Sequence, residues 1–412
     1  MESYSLISYF VLAIGFIGIA IGRLPRLAMN RSTIALSAAV LLVLSGGISL
    51  ARAFEAVDTE TLALLLAMMV LVASLRLSGF FDLAGEAILR FASGPRVLLA
   101  LVVLSSGFLS ALFLNDTICI MLTPLVAEIV RRRGRDGRPY LIALATAANA
   151  GSCATSIGNP QNMLIASQSG IPFLRFVASL APPSLIALLL CYVCVLAAFP
   201  SEFRRAEKFG AISSFPPQAL DRRLLYKSLA GALLLLILLG LGVCTSLAAL
   251  SAAAFLLVTR RTDPVRIFAE IDLSLLVFFS GLFVLTAGVA GSPAFALFMR
   301  AATPALGKPG FPFSAVVALA SNLVSNVPAV MLLSPVAKGF SNPESGWLFL
   351  AMASTYAGNL SLLGSVANLI MAESGEKAGI RVTFLDYLKV GLPVTLLSLA
   401  AGSVWLGSVI GA

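Results

Sequence analysis

The sequence predicts an all-α polytopic membrane protein built from two inverted structural repeats. Each repeat is expected to hold about five membrane spans, one re-entrant hairpin and one broken helix. Three observations carry this reading. Of 412 residues, 59% are hydrophobic and 11% are charged, against roughly 25% charged in a soluble globular chain; most of the surface must therefore face lipid. Apolar runs of about 18 residues or more, the length a bilayer core asks of a helix, recur from one end to the other. Two pairs of polar motifs recur in the same order in both halves.

Complete or nearly complete spans are expected at 5–22, 32–50, 59–80, 139–170, 177–199, 226–244, 246–259, 271–291, 347–372 and 387–409. The first has no basic n-region and no small-residue cleavage site, so it reads as a helix in preference to a signal peptide. The stretches 95–130 and 311–338 each carry a polar break at the centre and are flanked by loops that belong on one side, which makes them re-entrant hairpins. Segments 82–93 and 293–304 precede the hairpins and read as helices lying along the interface, with an ordinary loop as the competing reading.

Basic residues orient these spans. With the N-terminus outside, the inner loops hold Arg23, Arg26 and Arg31, the run Arg131 to Arg138, Arg204, Arg205, Lys208, Arg222, Arg223, Lys227, Arg260, Arg261, Arg266, Lys377, Arg381 and Lys389; Arg76, Arg90 and Arg96 lie on that side too. Outside, only Arg52, Arg175, Arg300, Lys308 and Lys338 remain of the 28 Lys and Arg. The partition requires both hairpins to return to the side they left. The net charge of +9 thus serves topology and anionic headgroups, and no nucleic-acid partner is implied. The location expected is the inner (plasma) membrane, multi-pass.

The repeat is read from the motifs. The first hairpin carries Leu114-Asn115-Asp116-Thr117 followed by Thr123-Pro124; the second carries Ser325-Asn326-Val327 followed by Ser334-Pro335. The next span of each half holds a Gly/Ser/Asn-rich interruption, Gly151 to Asn162 in one and Gly358 to Asn368 in the other. The first repeat is assigned to 1–200 (hairpin 95–130, broken helix 139–170), a cytoplasmic linker to 201–225 and the second repeat to 226–412 (hairpin 311–338, broken helix 347–372). Inverted repeats with paired breaks are typical of secondary transporters.

An interrupted helix inside a bilayer leaves backbone groups that are costly unless they line a cavity. Its exposed N–H ends suit anions or hydroxyls, and its carbonyl ends suit cations. The side chains expected around the site are Asn115, Thr117, Ser325 and Asn326 from the tips, with Ser152, Thr155, Ser156, Asn159, Asn162, Asn359, Ser361, Ser365 and Asn368 from the breaks. Neutral donors and acceptors of this kind suit a small hydroxylated or singly charged solute. Asp116 is the acidic residue set deep in an apolar context, between Leu112-Phe113-Leu114 and Ile118-Cys119-Ile120. A charged, unpartnered carboxylate at that depth costs at least ~2.5 kcal/mol and marks an ion or proton pathway, so Asp116 is the candidate for proton coupling; a structural hydrogen bond to the hairpin backbone is the alternative. Arg76, near the inner end of span 59–80, is the nearest candidate cation, with snorkelling to the headgroups as its competing role.

No His is present among the 412 residues, which excludes a His relay and a His-ligated metal. Cys119 and Cys153 fall near the expected site, but thiols pack in helices as small apolar groups. Cys191 and Cys194 share a helix face without further ligands. No metal site and no cofactor are expected. No Ser/His, paired-carboxylate or metal-ligand constellation supports an enzyme, and a passive channel would need a continuous polar lining.

At these motifs the sequence resembles a known family. Leu141 to Ser152, running on to Gly158-Asn159-Pro160-Gln161-Asn162, is similar to the signature of the arsenite permease branch of the ion transporter superfamily, as are the Asn115-Asp116 tip and the segment Ala357 to Asn368. Plant silicon efflux transporters and their bacterial relatives share that signature. The sodium–dicarboxylate branch has Ser-Asn-Thr at both tips; here a carboxyl stands in the first, a departure that disfavours a sodium site and favours protons. The resemblance implies a proton-coupled antiporter that exports a small metalloid hydroxy acid, arsenite or antimonite first and silicic acid second. A sodium- or proton-coupled carrier of another inorganic or carboxylate anion is the alternative, which the absence of an intramembrane Arg or Lys near the site weakens. The partners expected are the small inorganic solute, protons and the bilayer; a homodimer and a soluble ATPase subunit stay open.

Overall fold

The computed structural model describes residues 4–22, 29–204, 209, 220–258 and 264–410. Arg23, Arg26, Arg205, Lys208, Arg260, Arg261 and most of the 201–225 linker lie outside the described residues. What is described is an all-helical polytopic membrane protein. Among the described residues, six helices are long and apolar enough to cross a bilayer, and four shorter apolar helices accompany them.

The first helix, α1 (Leu6–Ile21), is capped by Ser5 and ends at Gly22, whose φ of +83° stops the helix. Next, α2 (Arg31–Leu44) is closed at its start by a reciprocal Asn30–Thr33 capping box. It ends short of the expected 32–50 because Gly46, at φ +74°, turns the chain into the short α3 (Leu50–Glu55). Asp58 caps α4 (Thr59–Leu77), and the helix α5 (Phe80–Phe91) follows over the expected segment 82–93. The first hairpin is α6 (Pro95–Leu112) and α7 (Asn115–Arg132), joined at Phe113-Leu114. The expected span 139–170 is two helices, α8 (Gly137–Ser152) and α9 (Pro160–Ser169), either side of an irregular stretch; α10 (Phe173–Ala198) and the short α11 (Pro200–Phe203) follow.

Beyond the linker come α12 (Arg222–Gly240), α13 (Thr245–Leu257), α14 (Pro264–Ala269), α15 (Leu273–Gly291) and α16 (Pro293–Leu306). The second hairpin is α17 (Phe311–Val324) and α18 (Asn326–Lys338). The second interrupted span is α19 (Pro343–Ala357) and α20 (Val366–Lys377), and α21 (Phe384–Ile410) closes the fold.

Packing sorts these helices. Tyr140 to Ser152 of α8 and Ser345 to Ala357 of α19 are buried at every position. Around α8 pack α6, α7, α10, α20 and α21; around α19 pack α17, α18, α9 and α21. In the outer layer α2 packs on α15 and α1, and α13 packs on α4 and α12. Leu6, Ile7, Phe10 and Ile17 of α1, and Leu229, Leu233 and Ile237 of α12, stay exposed; apolar rows at helical spacing on the outside are what a lipid solvent requires. Ion pairs join distant parts near the ends of the helices: Arg138 with Asp386 (3.7 Å), Arg175 with Glu344 (2.7 Å), and Arg76 with Glu270 (2.6 Å). Arg76 is thus bound elsewhere than at Asp116.

The α6–α8 crossing depends on two glycines. A Cβ at Gly151 would meet the backbone of Gly107, so the helices touch main chain to main chain, the close approach that small residues permit in membranes. Gly151→Ala is therefore expected to cost about 1–3 kcal/mol through overpacking, read as a lower unfolding midpoint in detergent. Gly240→Ala, where an added Cβ meets nothing within 4 Å, should leave the midpoint unchanged. Equal midpoints for both variants would overturn the crossing.

Candidate functional site

Each interruption is built from residues that end one helix and cap the next. In the first, Asn159 caps α9, its Oδ1 accepting from the Asn162 N–H at 2.9 Å, with Pro160 at the first helical position. Asn162 turns its Nδ2 back to the carbonyls of Ser152 (3.2 Å) and Thr155 (3.0 Å). In the second, Ser365 caps α20 by accepting from the Ala367 N–H at 3.3 Å. Asn368 sends its Nδ2 to the carbonyls of Gly358 (2.7 Å) and Ser361 (3.0 Å). The two asparagines thus satisfy the same orphaned carbonyls in both interruptions.

The first hairpin tip docks on the first interruption. The Asn115 N–H donates to the Gly158 carbonyl at 3.0 Å. Gly158 has to be glycine, because a Cβ there would press on the Ser152 and Ser110 carbonyls. At the second tip Ser325 holds φ +80° and ψ 160°, a region that L side chains occupy at a cost of about 1–3 kcal/mol and that clusters at functional sites. Among the described residues it is the one non-glycine with positive φ.

The two tips meet across a cavity of about 30 Å³, lined by Asn115, Asp116, Gln161, Ser325, Asn326 and Ser365 with an apolar wall of Phe278, Phe279 and Leu282. Behind it lies Asn149, buried on α8. Its Oδ1 accepts from Asn115 Nδ2 (2.9 Å) and Ser365 Oγ (3.2 Å), and its Nδ2 donates to Asn359 Oδ1 and Asn368 Oδ1, both at 3.0 Å. Asn359 passes its own Nδ2 to the Thr146 carbonyl at 3.0 Å. The Oδ1 atoms of Asn115 and Asn326 are buried and have no hydrogen-bond partner.

Asp116, half-buried, lies beside the start of α20 at Ala367 and in the field of the Arg31 guanidinium. Arg31 also feels Glu373. Both line a vestibule of about 700 Å³ that shares Phe278 and Val366 with the inner cavity. An arginine therefore does stand near the site, contrary to the expectation from the sequence, which assigned Arg31 to a loop.

Of the expected residues, the structure brings Asn115, Asp116, Ser325, Asn326 and Ser365 to the cavity. Asn159, Asn162, Asn359 and Asn368 are fully buried in the bracing network. Ser152 donates to the Asn149 carbonyl and receives Asn159; Thr155 donates to the Ala111 carbonyl at 2.6 Å; Ser361 points to Asn322 Oδ1. Thr117 is half-buried and does not line the cavity. Asn149, Gln161 and Arg31 were missed. For Asn149 a signal existed, an Asn in the middle of an Ala-rich helix, where a carboxamide needs buried partners.

A family model described as "Citrate transporter" (CitMHS) matches residues 14–357. The silicon efflux transporter LSI3 of Oryza sativa subsp. japonica is 32% identical over 93% of this chain and 94% of its own length. The inner membrane protein YbiR of Escherichia coli is 30% identical over 85% of this chain and 88% of its own. A Dictyostelium discoideum protein named as transporter arsB is 25% identical over 92% and 87%. Among solved structures, the YdaH transporter of Alcanivorax borkumensis aligns with a TM-score of 0.54 at 16% identity, covering 98% of this chain and 97% of that one, and shows the shared fold. The chain belongs to the CitMHS citrate transporter family of the ion transporter superfamily, and it is a multi-pass membrane transporter.

Proposed function

We propose that this transporter is a proton-coupled exporter of a small metalloid hydroxy acid, silicic or arsenous (or antimonous) acid, seated between the two hairpin tips. The observation that carries the reading is the pair of unpartnered buried oxygens, Asn115 Oδ1 and Asn326 Oδ1, on two residues that line one small cavity together with Asp116. An orphaned buried acceptor is costly, and an O–H group from the solute relieves it. A cavity of about 30 Å³ has room for about two waters, a space nearer to a solute of four or five heavy atoms than to a tricarboxylate. Silicic and arsenous acids are small, rich in hydroxyls and mostly uncharged at neutral pH. The name of the rice relative, a silicon efflux transporter, supports the same class.

Asp116 supplies the coupling. It reaches the vestibule side through Arg31 and the solute side through the cavity it lines. Proton and solute then compete for one carboxylate, which is the requirement for exchange. The reading includes two inverted repeats, 1–200 and 226–412, with the N-terminus outside the plasma membrane. It is supported by the matching use of Asn162 and Asn368 and by the reciprocal packing of α2 on α15 and α4 on α13. A carboxylate carrier is the second reading, favoured by Arg31 in the vestibule and by the description of the family model.

Uptake into everted vesicles, with arsenite, germanic acid (as silicic acid analogue) and citrate offered in turn, separates these readings. Gradient-driven accumulation of a metalloid acid is expected, and accumulation of citrate alone would sink the proposal. Asp116→Asn, a mimic of the protonated acid, should abolish accumulation driven by a pH gradient while solute exchange and the detergent unfolding midpoint persist. Full gradient-driven activity in that variant removes Asp116 from coupling. Asn115→Ala and Asn326→Ala should each raise the apparent KM about tenfold, one charge-free hydrogen bond in a buried site; unchanged KM in both removes the tips from binding.

A further inference from the structure

We propose that Asn149 is a specificity-determining positioning residue: it fixes the polarity of the cavity wall so that the site takes a solute with its hydroxyls protonated and rejects the corresponding oxyanion. This rests on the reading of the inter-tip cavity as the solute site.

A carboxamide has two N–H donors and two carbonyl lone pairs. At Asn149 all four are used, the Oδ1 by Asn115 and Ser365 and the Nδ2 by Asn359 and Asn368. Asn149 is 2% exposed and sits on a helix buried on every side from Tyr140 to Ser152, so it cannot turn over without leaving buried groups unpaired. The orientation is locked from behind as well. Asn359 must keep its Oδ1 toward Asn149, because its Nδ2 is held by the Thr146 carbonyl. Asn368 must do the same, because its Nδ2 is held by the carbonyls of Gly358 and Ser361.

The consequence reaches the cavity. Asn149 demands the Nδ2 of Asn115, which leaves Asn115 Oδ1 as the free end. It also demands the hydroxyl hydrogen of Ser365, so that oxygen is left as an acceptor, already engaged by the Ala367 N–H. Gln161 turns its Nε2 away to Thr355 Oγ1. With the Asp116 carboxylate, the side chains that Asn149 orients, Asn115 and Ser365, make this part of the lining one of acceptors, and Ser325 adds a hydroxyl from the other tip. An O–H group of a neutral hydroxy acid satisfies them. An oxyanion brings further lone pairs to the same atoms and loses its hydration without replacement. Asn149 touches no solute itself; it acts through Asn115 and Ser365.

The test compares two solutes of one element. In everted vesicles, apparent KM is measured for arsenite, and the inhibition constant is measured for arsenate as the oxyanion. Asn149→Ala releases Asn115 to turn its Nδ2 to the cavity, and the ratio of the two constants is expected to fall about tenfold or more in favour of arsenate. Asn149→Asp keeps both acceptors for Asn115 and Ser365, so it should retain the wild-type ratio even where turnover drops. Asn149→Ser takes the place of the alanine variant if that one fails to reach the membrane. A merely structural role lowers turnover in all variants with the ratio unmoved, and that result overturns the inference. Asn115→Ala separates the two failures: unchanged KM there condemns the cavity as the solute site, whereas a raised KM with an unmoved Asn149 ratio condemns the polarity argument alone.

Discussion

Backbone that leaves a helix inside a bilayer has no water to turn to, and every N–H and C=O it frees must be met by the protein. That constraint organises the centre of this molecule. The chain interrupts itself after Ser152 and again after Ala357, and in each case one asparagine, Asn162 or Asn368, folds its amide back onto the carbonyls left behind. The tips then dock where the interruptions have left donors and acceptors in register, as the Asn115 N–H does on Gly158. Much of the amide and hydroxyl population is therefore consumed by structure. The two Oδ1 atoms of Asn115 and Asn326 are among the buried groups left over.

The two sides of the site are built alike but charged differently. The first tip sets Asp116 after its Asn, and the second sets Val327. A symmetric pair of carboxylates would repel across so small a space, and only the first tip carries one. The second tip contributes geometry instead, with Ser325 held in a strained conformation between α17 and α18. Strain of about 1–3 kcal/mol persists there because both of these helices pack on α19.

The helical architecture was legible because lipid simplifies the code. Long apolar runs become helices, and polar interruptions within them stand out, which is why 95–130 and 139–170 could be bounded to within a few residues. The gathering of Asn115, Asp116, Ser325, Asn326 and Ser365 also followed from motif type. What could not be read was direction. An Asn that caps a helix, such as Asn159, and an Asn that offers its oxygen to a cavity, such as Asn115, are the same letter. Asn149 lay hidden because its partners come from distant segments, Asn115 from the first tip and Asn359, Ser365 and Asn368 from the second interruption, more than two hundred positions away. Arg31 was misjudged because its place in a basic loop concealed that α2 begins beside the vestibule wall formed by α20.

Arg31 and the inner cavity bear on solute class in opposite senses, and magnitude decides between them. An arginine on the approach attracts anions, as a carboxylate carrier needs. It does not stand alone: Glu373 and Asp272 share the vestibule with it, and in a wide, wet space of about 700 Å³ such fields are screened. The inner cavity has no cation among its lining residues and about 30 Å³ of room. Selection is set where desolvation is complete, because an unpaired polar contact there costs about 1–3 kcal/mol, while a screened surface charge is worth roughly 0–1 kcal/mol. A tricarboxylate would have to bury several charges against Asp116 and two bare carbonyl oxygens. A neutral hydroxy acid would bury only hydroxyls, each with an acceptor waiting.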